Sequence, residues 1–381
     1  MCDRERIVAR RAAEPRRVAV AMSGGVDSSM AAALLLDRGC DVFGVHLRVA
    51  DGPQGSAPPA HATPPARAAG SESAAPPVEA AGAAAAALGI ELRVLDVRED
   101  FLRKVIAPFI DEYLAGRTPN PCVGCNRAVK FGVLLERALE WGAEALATGH
   151  YARARFEDGR WRLLRGLARG KDQSYYLCRL RQDQLERFVA PLGELASKDD
   201  TRAMARQRGL PVAGRRESQD ICFIHDNDYK AFIEARAPGR LPGEGDIVDT
   251  QGDIVGRHQG AWRYTIGQRR GLGVSAPAPL YVVAIDMPRN RVVVGPWEAA
   301  LSRELVAEDV NYVSIPPIER PIRCGVQIRY RHSPARATAE PVGAGATRLR
   351  VVFDEPQSAV APGQAAVLYD GDVVLGGGWI S

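Results

Sequence analysis

The chain has 381 residues, 46% hydrophobic and 25% charged, the composition of a globular protein with room for two or three domains. Fibrous, repeat and wholly disordered classes are excluded, and no apolar run approaches the roughly 20 residues of a membrane-crossing helix. Fifty Lys and Arg against 46 Asp and Glu leave a net charge of +4, so a polyanionic partner must be recognised through local clusters.

Residues 1–16 are rich in Arg, lack an apolar signal core and read as a disordered leader. RVAVAM (17–22) predicts a buried strand, followed by the turn Ser23-Gly24-Gly25-Val26-Asp27-Ser28-Ser29 and an Ala/Leu-rich helix ending near Gly39. A second strand is predicted over 41–49. Residues 51–87 are dominated by Ala, Pro and Gly; the early part, 51–77, reads as a mobile insertion, with helical order resuming near Val78. Then come a strand at 90–97, a helix near 99–116, a Pro/Cys turn at 118–126, a helix to about 141 and a strand in EALATGHY. This alternation predicts a parallel α/β sheet over 17–212. Beyond 213 the chain turns to short segments rich in Gly, Pro and Arg, read as a small central domain (213–279). From 280, YVVAID, RVVVG, LRVVFD and AAVLYD carry the strand and turn spacing of an antiparallel β-barrel (280–381).

The glycine turn between a buried strand and a helix suits an anion. Small residues let backbone N–H groups close around it, and the helix N-terminus adds partial positive charge. Ser23 and Ser28 can donate hydroxyl hydrogen bonds, whereas Asp27 would repel phosphate unless Mg2+ stood between them. ATP with magnesium is therefore expected; a plain strand-to-helix turn capped by Asp27 or a Ser is the alternative. Neither GxxxxGK[ST] nor GxGxxG occurs. The motif resembles SGGxDS of the PP-loop ATP pyrophosphatases, whose fold is adenine nucleotide alpha hydrolase-like. The resemblance implies that Ala21, Met22, Ser23, Gly24, Gly25, Val26, Asp27 and Ser28 bind ATP.

Seven cysteines outside a secretory context suggest a reducing, cytoplasmic setting. Cys122 and Cys125 stand three residues apart in a Pro-stiffened turn entering a helix, a position that favours thiolate. Cys222 lies in SQDICFI, while Cys40, Cys178 and Cys324 read as inert. One CxxC without a second pair, and without spaced histidines, is weak support for zinc.

TPNPCVGCNRAVKF, ATGHYAR, KDQSYYL, SQDICFI, HQGAWRYTIGQRRGLG and FDEPQSAVAPGQAAVLYDGDVVLGGG occur in the order found in the tRNA-specific 2-thiouridylase family of PP-loop enzymes. The chain is similar to that family from about residue 17 onward. The resemblance implies an ATP-dependent tRNA-uridine 2-sulfurtransferase that adenylates the 2-carbonyl of the wobble uridine and replaces its oxygen with sulfur from a cysteine persulfide. It implies Cys222 as persulfide carrier and Cys125 as the partner that attacks it, leaving a Cys125–Cys222 disulfide. Asn120, Pro121 and Cys122 would hold the target base, while Gly149 and Leu47 would contact ATP. Two departures stand out. Cys122 replaces an Asp found in some members, which leaves an acid/base role there open, and Leu47-Arg48-Val49-Ala50 replaces the common Met-(Lys/Arg)-Asn-Trp. An iron–sulfur cluster, [4Fe-4S], on Cys122, Cys125 and Cys222 is the alternative sulfur route.

The same resemblance implies tRNA contacts at Lys171, Asp172, Gln173, Arg329 and Tyr330. Around them the sequence offers Arg215, Arg216, Arg263, Arg269, Arg270, Arg323, Arg331 and Arg336, fitted to phosphate, with Tyr able to stack on an unpaired base. Lysine, glutamate and glutamine tRNAs, and a cysteine desulfurase or sulfur-relay protein, are the implied partners, with no membrane. A PP-loop enzyme adenylating a small molecule is the competing class; it would not need the C-terminal barrel. A metal-held nucleic-acid-binding module would make the phosphate loop incidental.

Overall fold

The computed structural model describes residues 15–50, 76–215, 221–224 and 227–381. Leader residues 1–14, insertion residues 51–75, and residues 216–220, with Arg216, lie outside the described residues. The chain forms two units, one from residues 1–101 and 125–219, the other from 102–124 and 220–381.

The first unit is built on a five-stranded parallel sheet. Its strands are β1 (Arg17–Ala21), β2 (Asp41–Arg48), β3 (Leu92–Asp96), β4 (Ala145–Ala147) and β7 (Phe188–Val189), in the order β3-β2-β1-β4-β7. Strand β1 is central, and its Val18, Ala19 and Val20 are fully buried, as a strand covered on both faces requires. Chain order reverses between β1 and β4, so the loops after these two strands open into one crevice at their carboxyl ends.

Helix α1 (Val26–Asp37) buries Met30, Ala31, Ala32, Ala33 and Leu35; helix α2 (Pro77–Leu88) buries Ala80, Ala81, Ala84 and Ala85 in the same core. Pro77 at the first turn and Gly89 in the left-handed region (φ 68°) bound α2. The Ala-rich tract that carries little pattern as sequence is thus a close-packing face. A hairpin of β5 (Ala152–Glu157) and β6 (Arg160–Arg165) turns through Asp158 and Gly159, both with positive φ. Helix α3 (Lys198–Gln207) is opened by a capping box in which Ser197 Oγ accepts from the Asp200 amide and Asp200 accepts from Ser197 N–H.

In the second unit the helix Ala107–Leu114 packs through Phe109 on Phe223 and Phe232, and Tyr113 stacks on Tyr229 of helix α4 (Tyr229–Arg236). Strands β8 (Gly245–Val248), β9 (Ile254–His258), β10 (Tyr281–Asp286) and β11 (Arg291–Gly295) form one sheet, ordered β10-β11-β8-β9. Six more strands, β12 (Leu301–Asn311), β13 (Ile322–Gln327), β14 (Ala335–Val342), β15 (Arg348–Ser358), β16 (Ala365–Asp370) and β17 (Val373–Ile380), make an antiparallel barrel closed by β12 on β17.

The expectation that YVVAID and RVVVG open the C-terminal barrel is corrected. β11 pairs in parallel with β8, and Val282, Val292 and Val294 share a core with Ile247, Ala261 and Leu272. The barrel strands begin at Leu301 and enclose Leu305, Val326, Ile328, Val351, Phe353 and Leu368. Among the described residues no helix is long and apolar enough to cross a membrane.

Candidate active site

The loop after β1 stands at the crevice where strand order reverses. Its start is anchored to β2: Met22 N–H donates to the Val45 carbonyl (2.8 Å), and Met22 O meets His46 Nδ1 at 2.8 Å. Ser23 N–H donates to Ser28 Oγ (3.2 Å), the two hydroxyls lie 3.3 Å apart, and Ser28 and Ser29 hydroxyls both donate to the Gly25 carbonyl. Gly25 is the N-cap of α1 and offers no side-chain acceptor, so the first amides of the helix are left for an incoming anion.

Glycine is required at two points here. Gly24 has φ 77°, and a Cβ there would run into the Pro77 carbonyl oxygen of α2. Gly149, in the loop after β4, backs directly onto the turn: a Cβ would stand 2.8 Å from Asp27 C and from Ser28 N. Ser23, Gly24, Gly25, Asp27, Ser28 and Gly149 are therefore brought together. Ala21 ends β1, Val26 is buried at the start of α1, and Leu47, half-buried, follows His46 on β2.

Asp27 is the loop's carboxylate, a hard oxygen donor suited to magnesium. It is held from two sides: Lys198 Nζ donates to Oδ2 at 2.6 Å, and Tyr151 Oη donates to Oδ1 at 3.1 Å. Tyr151 Oη also meets Thr201 Oγ1 at 2.8 Å, and the Lys198 ammonium lies 5.7 Å from the Tyr151 ring centre. The motif reading missed this trio. Lys198 and Thr201 lie in ASKDDTR, which has no phosphate-loop signature, and Tyr151 sits in ATGHY beside the glycine that drew attention. His150, between them, is buried with Nδ1 2.7 Å from Thr148 Oγ1; burial, then the charge of Lys130, holds its pKa well below the usual histidine value.

The triplet Lys171-Asp172-Gln173 divides in role. Asp172 is buried and accepts from Arg165 Nε, Gly166 N–H, Ser174 N–H and Ser174 Oγ, at 2.9 to 3.1 Å. Gln173 Oε1 accepts from the Tyr151 amide. Lys171 instead lines a cavity of about 350 Å³ with Arg169, Ser197, Lys198, Asp199 and Arg202.

In the second unit Thr118 N–H donates to the Pro362 carbonyl (2.7 Å), and Gln364 Nε2 donates to the Thr118 carbonyl (2.9 Å). Thr118 Oγ1 donates to Thr265 Oγ1 (3.1 Å). The strand β16 loop thus pins the segment that presents Asn120 and Pro121, and both residues line a cavity of about 580 Å³ with Lys104, Phe109, Arg117 and Trp379. Arg329 donates to the Ser358 carbonyl, Tyr330 is half-buried, and Arg331 lies 5.7 Å from the Tyr330 ring centre. Arg263 is paired with Glu234 and Arg323 with Asp354, whereas Arg269, Arg270 and Arg336 are exposed.

Cys122 and Cys125 are half-buried on the short helix Pro121–Cys125; Cys222 is exposed. Cys125 belongs to the first unit, Cys122 and Cys222 to the second. Burial pushes the Cys178 thiol up to about 12 and the Cys324 thiol up to about 11, which removes both from thiolate chemistry at neutral pH. Among the described residues no group of three or more His, Cys, Asp or Glu side chains is drawn together in a way that could hold a metal ion.

Three family profiles match consecutive parts of the chain. They are the tRNA methyl transferase HUP domain over residues 16–226, the tRNA methyl transferase PRC-barrel domain over 230–296 and the aminomethyltransferase beta-barrel domain over 302–380. The chain is 50% identical to the tRNA-specific 2-thiouridylase MnmA of Syntrophotalea carbinolica, over 96% of this chain and 99% of that protein. It is 48% identical to the MnmA of Geobacter metallireducens (96% of each) and 44% identical to that of Magnetococcus marinus (96% and 99%). With likeness of this degree over nearly its whole length, and a phosphate loop at the reversal of its parallel sheet, the chain belongs to the tRNA-specific 2-thiouridylase family.

Proposed function

We propose that the protein uses ATP to convert the wobble uridine of tRNA to 2-thiouridine. The observation that carries this reading is the meeting of the Ser23–Ser28 loop, with its uncapped helix amides, and Gly149 at the reversal point between β1 and β4. Those amides and hydroxyls hold phosphate oxygens, and Asp27 is the carboxylate that would hold a magnesium ion, which would neutralise phosphate charge. The uridine O2 attacks the α-phosphorus; the bond to the bridging oxygen breaks, and its electron pair leaves with pyrophosphate. Adenylation turns a poor leaving group into AMP.

Sulfur arrives as a persulfide on Cys222 from a cysteine desulfurase or relay protein. The Cys125 thiolate attacks Cys222 Sγ, hydrosulfide leaves with the S–S electron pair, and a Cys125–Cys222 disulfide forms. Hydrosulfide adds to C2, AMP departs, and the C2 sulfur double bond remains. A thiol reductant supplies the two electrons that reopen the disulfide. Asn120 and Pro121, which follow Thr118 where it is fixed to the Pro362–Gln364 loop, would hold the base, and of the Lys171–Gln173 triplet Lys171 would carry the RNA contact.

The test is incubation of unmodified tRNA with ATP, magnesium and a persulfide donor, with 2-thiouridine read by mass spectrometry. Iron-free protein is expected to form it and to lose activity in both Cys125→Ala and Cys222→Ala, with tRNA affinity retained. Activity only after iron–sulfur reconstitution overturns the persulfide route. Absence of 2-thiouridine in both preparations overturns the function.

A further inference from the structure

The strand that closes the barrel carries one large side chain directly after three buried glycines, Gly376, Gly377 and Gly378. In β17 Ile380 enters the barrel core, and because successive strand residues point to opposite faces, Trp379 beside it stands on the outer face. Trp379 is half-buried and lines the cavity of about 580 Å³ that Pro119, Asn120 and Pro121 also line. Main-chain bonds fix the two sides of this cavity to each other. Gly363 N–H donates to the Ile380 carbonyl (2.9 Å) and Ile380 N–H donates to the Gln364 carbonyl (2.8 Å), while Pro362 and Gln364 of the same loop hold Thr118. Gly363, with φ 89°, comes so near that a Cβ would stand 3.1 Å from Arg117 Cβ and from the Thr118 backbone. Trp379 and the Asn120-Pro121 turn are therefore walls of one rigid cavity.

The charges of the lining say which part of an RNA it suits. Lys104 and Arg117 stand against Glu112, Glu308 and Asp309, and Arg117 is already paired in a fork with Glu112 at 2.5 and 2.6 Å. No excess of positive charge is offered to a phosphate. Carboxylates can instead accept from the N–H groups of a nucleobase, and apolar walls take its ring faces. The lining holds two aromatic residues. Phe109 is 2% exposed and packed on Phe223 and Phe232, which leaves Trp379 as the ring a base can meet. We propose that Trp379 is a further substrate-binding residue, the stacking platform for an unpaired base directly next to the target uridine in the RNA strand. This inference rests on the reading of Asn120 and Pro121 as the residues that hold the target, since a nucleotide sharing their cavity is its neighbour in the strand.

The experiment is a double-mutant cycle between protein and RNA, read as equilibrium affinity by filter binding to the full chain. The proteins are wild type, Trp379→Ala, Trp379→Leu and Trp379→Phe; the RNAs are unmodified tRNA and versions lacking the base on one or the other side of the target uridine. Loss of a stacked base predicts that Trp379→Ala binds intact tRNA about tenfold more weakly, that Trp379→Leu does the same, and that Trp379→Phe keeps most of the affinity. Removing the stacked base is expected to cost wild type about tenfold and to cost Trp379→Ala nothing further. If the two losses multiply at both neighbouring positions, or if Trp379→Leu binds as wild type does, Trp379 only covers apolar surface and the proposal fails. Should Trp379→Ala not fold, the contrast between Trp379→Phe and Trp379→Leu decides the same question. Wild-type protein that binds no tRNA and forms no 2-thiouridine overturns the proposed function and this inference with it; wild-type thiolation with tRNA affinity unaltered in Trp379→Ala overturns the inference alone.

Discussion

Gly149 shows how one missing side chain sets a reaction site. A methyl group there would press on the Asp27 carbonyl carbon and the Ser28 amide nitrogen, backbone atoms that cannot step aside without moving the phosphate loop. A displacement of about 1 Å at a reacting centre costs on the order of 100-fold in rate. Gly149→Ala is accordingly expected to lower ATP-dependent thiolation about 100-fold with tRNA affinity unchanged, as measured by turnover and filter binding. Asp27→Ala should abolish thiolation outright. His150 supplies a pH prediction. Its folded pKa lies well below the usual 6.5, so the unfolded chain binds a proton that the folded one refuses. Stability is full above about pH 6.5 and declines below it by about 1.4 kcal/mol per pH unit until the folded pKa is reached. Urea unfolding across pH 5 to 8 should reveal this slope, and His150→Gln should flatten it.

At the scale of elements, α2 and β17 both depend on what small residues permit. Ala80, Ala81, Ala84 and Ala85 bring α2 against α1 and set the Pro77 carbonyl beside Gly24. Ala84→Leu would overfill this contact and cost about 1–3 kcal/mol in urea unfolding. In β17, Gly376 and Gly378 lie against the Asn311 and Glu308 carbonyl oxygens of β12, where any Cβ would intrude, and this approach closes the barrel. These two cases show what was legible and what was not. The alternating Val-rich runs and the glycine turn of the phosphate loop announce strands and an anion site through period and spacing. The packing faces of α2 and β17 are carried by Ala and Gly, whose meaning depends on distant neighbours. The partner of a strand is equally non-local, which is why Tyr281–Asp286 reads as part of the barrel although its buried Val282 belongs with Ile247. Lys198 escapes sequence reasoning for the same reason: 171 residues separate it from the carboxylate it holds.

For the molecule as a whole, the net charge of +4 gives little general affinity for RNA, so tRNA binding is expected to draw on local cations, among them Arg169, Lys171, Lys198 and Arg202 around one cavity and the exposed Arg269, Arg270 and Arg336. If six to ten phosphates are engaged, tRNA affinity should fall by about 10³ to 10⁵ between 50 and 200 mM salt. A fall of tenfold or less in a filter-binding titration would contradict that footprint. The chain path adds a constraint, because residues 102–124 belong to the unit completed by 220–381. During synthesis Phe109, Ile110 and Tyr113 emerge before the aromatic partners Phe223, Phe232 and Tyr229, and Thr118 emerges before Pro362 and Gln364. At about 5–20 residues per second the ribosome needs on the order of 10 to 50 s to make the stretch from Thr118 to Gln364. For that interval the segment that presents Asn120 and Pro121 is an apolar stretch without its cover, so the half-made polypeptide is a natural client for a chaperone.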